Sequence, residues 1–153
     1  MTRELLVNID VDDLEKAVEF YSRGLGLTAG RRLGPDAVEM LGAACPIYLL
    51  TKPAGTRPFA RAGAARRYRR HWTPVHLDFA VADLRAALDR ALAAGAKLEG
   101  RVAERRWGSM ARMADPFGHG FCLLQFKGRG YDEIVEAPPR TRRRPARARR
   151  RSG

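Results

Sequence analysis

Residues 4–11, ELLVNIDV, place Leu5, Val7, Ile9 and Val11 on one face of an extended chain and Leu6, Asn8 and Asp10 on the other. That period of two predicts a half-buried strand. The period then lengthens. Leu14, Ala17, Val18 and Tyr21 recur at helical spacing and form one apolar stripe. Asp12 or Asp13 can cap this helix, with Glu15 three residues after Asp12 as in a capping box. GLGL at 24–27 ends it, glycine being favoured just past a helix C-terminus. Three short strands are predicted next, at about 28–33, 36–41 and 46–52. GPD (34–36) and GAA (42–44) supply the turns between them.

The pattern then recurs. Strand 75–81 is VHLDFAV, and helix 83–94 carries Leu84, Ala87, Leu88, Ala91 and Leu92 on one stripe with Gly95 as its stop. Strands near 97–104, 107–114 and 120–127 complete the second half. Val11 and Val81, Asp13 and Asp83, Leu14 and Leu84, and Ala17 and Ala87 correspond at a constant offset of 70. The chain therefore reads as an α+β fold of tandem β-α-β-β-β modules. The expected boundaries are a first module at 1–52, a Gly-, Pro-, Ala- and Arg-rich linker or mobile loop at 53–73 with one helical turn near 64–70, and a second module at 74–136.

Composition narrows the function classes. With 153 residues, 45% of them hydrophobic, the chain can build one compact core. No apolar run approaches the roughly 20 residues that cross a bilayer, and MTRELLVNID lacks the layout of a signal peptide. Cys45 and Cys122 do not make a disulfide framework, so a cytoplasmic protein with reduced thiols is expected. The net charge of +12 is concentrated at one end: eight arginines fall in the last fourteen residues, and removing them leaves about +4. The segment from 137 to 153 is too poor in apolar groups to fold and is expected to be a disordered tail. Such a tail touches polyanions weakly and with strong salt dependence; no motif for specific nucleic-acid recognition accompanies it.

Two stretches carry a family resemblance. VDDLEKAVEFYSRGLGL (11–27) and WGSMARMADPFGHGFCLLQF (107–126), with the module opening HLDFAVADL (76–84), resemble the vicinal oxygen chelate superfamily, which includes glyoxalases, bleomycin-resistance proteins and extradiol dioxygenases. The resemblance covers about residues 4–130. It implies paired modules whose sheets curl around a cavity, and a homodimer. In metal-dependent members four positions aim ligands into that cavity, and here they read Leu6, His76, Tyr48 and Cys122, where the family's usual residues are His or Gln at the first two and Glu at the last two. Leu6 has no donor atom. Tyr48 would have to ionise from a pKa near 10. One imidazole and one thiol fall short of the three protein ligands that zinc sites need. No complete metal site is expected, although a divalent metal held by His76, Asp78 and Cys122 is conceivable, Asp78 sharing the His76 face.

The candidate chemistry follows. His76 can accept or donate a proton near neutral pH, with Asp78 to orient it. Asn8, Asp10, Tyr48, Trp107 and Cys122 are candidate ligand contacts. Each also has a bland reading: solvated strand-end polar groups for Asn8 and Asp10, and wall packing for Tyr48, Trp107 and Cys122. DPFGHG (115–120) is a turn, with His119 at the cavity rim rather than a ligand. RRYRRHW (66–72) can cover the cavity mouth and attract an anion, or be an exposed basic loop. GLGLTAG (24–30) follows a helix rather than a strand, which excludes a dinucleotide fingerprint. The leading expectation is a small-molecule-binding protein without a complete metal site. The alternative is a glyoxalase-like lyase, isomerase or dioxygenase-type enzyme using His76.

Overall fold

A computed structural model describes residues 4–71 and 73–135. The expected tail at 137–153 lies outside the described residues. The alternating run at the start becomes β1 (Val7–Val11), and the helical stripe becomes α1 (Leu14–Arg23). Asp13, not Asp12, caps α1, its carboxylate accepting from the Lys16 amide at 3.0 Å. The third helical position is thus Lys16, and the capping box with Glu15 does not form. β2 (Thr28–Arg32), β3 (Ala37–Leu41) and β4 (Ile47–Thr51) follow. They make a four-stranded sheet in the order β1-β4-β3-β2, with β1 parallel to β4 and the other pairs antiparallel.

The second half repeats this wiring. β5 (Leu77–Ala80) leads into α2 (Leu84–Ala93), capped by Asp83 through the Ala86 amide at 3.0 Å. β8 (Gly108–Ala114) and β9 (Gly120–Phe126) form the long hairpin, and β5 lies parallel to β9. The predicted strand at 97–104 is instead two pieces, β6 (Lys97–Leu98) and β7 (Ala103–Arg105), both paired to β8. Gly100 between them has φ +86°, a turn conformation that no continuous strand tolerates. A short 3-10 turn, Gly130–Ile134, was not predicted; one turn is too short to leave a periodic signature.

Period-two burial explains why both sheets curl around helices on one side. Ile47 and Leu49 are 2% and 0% exposed and pack with Val38 and Met40 under α1. The intervening Tyr48 turns the other way and donates to Glu39 at 3.1 Å. A single core joins the modules: Phe20 of α1 stacks edge-on against Phe121 of β9, with centroids 6.3 Å apart. The edge strands β1 and β5 thus lie beside each other without pairing, and the cleft between them becomes the site.

No helical turn forms at 64–70. The segment crosses from one module to the other and is tied to both. Arg66 Nε reaches the Asp10 carboxylate at 2.6 Å, and the Tyr68 hydroxyl donates to the Lys52 carbonyl. Arg70 pairs with Glu99, and the His71 amide donates to the Gly118 carbonyl. Its arginines seek fixed carboxylate partners, and these hold the backbone extended instead of letting it coil. Among the described residues no helix is long and apolar enough to cross a membrane.

Candidate functional site

The seam between β1 and β5 encloses a cavity of about 420 Å³. Val7, Ile9, Leu77, Phe79 and Phe121 supply apolar walls. Asn8, Asp10, Tyr21, His71, His76 and His119 supply polar groups. This mix of apolar wall and few convergent polar groups is typical of sites for small organic molecules. Of the candidate residues, Asn8, Asp10 and His76 line this cavity. Asp78, Tyr48, Cys122 and Trp107 are placed elsewhere.

Each of those four has an identifiable neighbourhood. Tyr48 sits in a polar row across the first sheet, where Glu39 also holds Arg31 at 2.6 Å and 3.0 Å. The Arg31 guanidinium holds the Glu39 carboxyl down at about 2. Trp107 packs against Tyr131 (5.1 Å) and Phe126 (6.1 Å) at the far edge of the second sheet. Asp78 and Cys122 are register partners on β5 and β9, and His76 Nε2 lies 3.2 Å from Asp78 Oδ1.

The donor atoms of His76, Asp78 and Cys122 all fall within 4.8 Å of one another. The four positions that a divalent metal would use in related folds do not fit one. Leu6 offers no donor, and the Tyr48 hydroxyl is committed to Glu39. Two of the four positions remain, His76 and Cys122; with Asp78 they form a trio from one module, and its thiol is poorly disposed to ionise. Burial, then the Asp78 charge beside it, pushes the Cys122 thiol up to about 11. Cys122 should therefore resist alkylation. At pH 8 we expect labelling by iodoacetamide at least about tenfold slower in the folded chain than in the urea-unfolded chain, read by mass spectrometry of its peptide. Equal rates would contradict the buried, protonated thiol.

Four residues at or beside the cavity escaped the sequence reading as a connected group. Tyr21 was assigned to the helix stripe. It is buried, yet its hydroxyl donates to Asp115 Oδ2 at 2.9 Å and its side chain lines the cavity. Asp115 is itself 5% exposed and also accepts the Phe117 and His119 amides at 2.9 Å each. Burial raises its carboxyl above the ordinary value against those favourable contacts. His119 is a turn residue as expected, but it also bridges the modules. Its Nε2 lies 2.7 Å from the Asp10 carbonyl, and its Nδ1 lies 3.3 Å from His71 Nε2. His71 came within the RRYRRHW stretch, read there only as a cover; no spacing signal connects residues 71, 119 and 10.

Comparisons with known proteins agree with this architecture. The sequence model of the glyoxalase-like domain family matches residues 6–124. The anthracycline biosynthesis protein DnrV of Streptomyces peucetius is 31% identical over 123 residues, covering 79% of this chain and 40% of DnrV. The chain thus spans about 40% of the length of that relative. An uncharacterized protein of Mycobacterium bovis, Mb0911c, is 32% identical over 119 residues, covering 75% of this chain and 78% of its own. Among solved structures, the fosfomycin resistance protein FosX of Listeria monocytogenes superposes with TM-score 0.64 at 16% identity, over 88% of this chain and 99% of FosX. TnmS3, an antibiotic binding protein from Streptomyces sp. CB03234, superposes with TM-score 0.58 at 23% identity, over 83% of this chain and 98% of TnmS3.

Proposed function

The chain belongs to the glyoxalase-like domain family, and from that premise we propose that it binds a small organic molecule in the seam cavity without a complete metal site. The observation that carries this reading is the cavity itself: about 420 Å³, walled by Val7, Ile9, Phe79 and Phe121, with polar groups at a few points only. The reading suits flat, largely apolar compounds. Similarity to a protein named for anthracycline biosynthesis makes hydroxylated polycyclic aromatics the first probes to try. The homodimer implied by the family resemblance belongs to the same proposal.

The test is ligand-linked stability. Titration with 1,4-dihydroxyanthraquinone should raise the unfolding midpoint by several degrees near saturation, since a ligand at about 100 times its Kd adds about 2.7 kcal/mol. EDTA should leave that shift unchanged. A shift abolished by EDTA, or metal co-purifying at one ion per chain, would refute the metal-independent reading. The enzymatic alternative draws on the 3.2 Å approach of His76 to Asp78. Recovery of the probe unchanged after long incubation is the outcome expected of a binding protein, and its conversion would favour the enzyme.

A further inference from the structure

A second cavity, about 460 Å³, adjoins the first and shares Asp10, His71 and His119 with it. Its other wall is the crossing segment, including Arg66, Arg67 and Tyr68. The two imidazoles therefore stand between two chambers, one apolar and one basic. Asp10 is the acid in the basic chamber, and it is already paired with Arg66 at 2.6 Å. Arg67 has no acidic partner among the described residues.

The hydrogen bonds assign the protons. The Asp10 carbonyl can only accept, so His119 carries its proton on Nε2 and offers a lone pair at Nδ1. His71 Nε2, 3.3 Å away, must then donate to that lone pair. This leaves the lone pair of His71 on Nδ1, which is buried and has no hydrogen-bond partner among the described residues. It is an orphaned buried acceptor, and such an atom carries a desolvation penalty that nothing offsets. It is also the one position in the chain of three groups where a proton can be added without breaking a bond. Protonation there keeps Nε2–H pointing at His119, and the charge strengthens that bond.

We propose that the two chambers form one site for an organic acid, its apolar body in the seam cavity and its carboxylate beside Arg67, and that His71 takes up one proton at Nδ1 when the acid binds. The inference rests on the seam cavity holding a small organic molecule. No bond other than N–H is made, and the proton comes from solvent. In the free chain, burial, His119 and Arg70 hold the His71 imidazole below the ordinary histidine range, and Asp115 opposes them weakly. The groups facing His71 from the other elements are His119 and Asp115 in the β8–β9 turn, Asp10 from β1, Tyr21 from α1 and His76 beside β5; its own segment contributes Arg66, Arg67 and Arg70. Asp10 and Asp115 are the two acids in this set, and each already has partners. A bound carboxylate supplies the missing counter-charge and raises the His71 pKa, so binding strengthens as pH falls.

The probes are 1-naphthaleneacetate and its neutral isostere 1-naphthaleneacetamide, titrated between pH 5.5 and 8.5 by naphthalene fluorescence. We expect the acid to bind about tenfold tighter at pH 6 than at pH 8, the carboxyl being ionised throughout. The amide should show no such slope. Calorimetry in buffers of different ionisation enthalpy should report uptake of about half a proton per acid bound, averaged between pH 6 and pH 8. His71→Phe should remove the slope and the proton uptake from whatever acid binding remains. Arg67→Gln, an exposed change, should weaken the acid several-fold and spare the amide. A pH-independent acid affinity, or a slope that survives in His71→Phe, overturns the proposal. If the amide binds and the acid does not, the acid site is wrong while the cavity reading stands. If neither binds at millimolar concentration, both fall.

Discussion

Replacing Gly118 by alanine should destabilise the chain by about 3 kcal/mol and abolish ligand binding together. Gly118 lies in the β8–β9 turn at φ +86°, where a side chain already costs about 1–3 kcal/mol. The space is also taken. A Cβ there would overlap the carbonyl carbon and oxygen of Arg69. These are backbone atoms, so relief requires moving the crossing segment itself. That movement breaks the hydrogen bond that the His71 amide donates to the Gly118 carbonyl and separates His71 from His119. Both chambers lose a wall. Urea unfolding reads the stability loss, and probe titration at a temperature where the variant is folded reads the binding loss. A variant within about 1 kcal/mol of the parent that still binds would show that the turn and the crossing segment are not in the contact described.

Asp115→Ala should cost a similar amount, about 3 kcal/mol, for a different reason. The carboxylate satisfies the Phe117 and His119 amides and the Tyr21 hydroxyl inside a nearly closed pocket. Its removal leaves three donors wanting, each worth about 1 kcal/mol or more when buried. Tyr21→Phe should cost about 1 kcal/mol, and the double variant should fall short of the sum because the two share one bond. The carboxyl also sets a pH signature. Its folded pKa is raised above the unfolded value, chiefly by burial. The folded chain therefore holds more protons than the unfolded chain in that window. The contribution of Asp115 is present at low pH and is lost as pH rises through the folded pKa. Relative to Asp115→Asn, the parent should gain stability as pH is lowered from 7 toward 4. A gap that is constant or runs the other way would contradict the buried, reluctantly ionised acid.

The same two residues show what the sequence could and could not disclose. Asp115 and Gly118 were legible as a turn, because Asp-Pro and Gly have local backbone preferences that need no tertiary context. Their joint purpose was not legible. Asp115 closes on Tyr21, 94 positions earlier, and Gly118 admits the backbone of Arg69, 49 positions earlier (118 − 69). His76 and Asp78 were readable as neighbours by alternation, and the structure places them 3.2 Å apart. Tyr48 and Trp107 were readable as large side chains on strands. Only the sheet decides that one faces Glu39 and the other Tyr131 rather than the seam cavity.

By itself, the sequence determined the repeated module, the order of its main elements and the stripes that become the core, while leaving the first cap open between Asp12 and Asp13. These follow from periodicities of two and 3.6 and from turn chemistry, which act over a few residues. The tertiary structure alone decided that the crossing segment is clamped to both modules, that Asp10 is spent on Arg66, and that His71 and His119 meet over the seam. Those contacts join residues dozens of positions apart. They depend on where the unpaired edges β1 and β5 come to rest, a distance that local patterning does not encode.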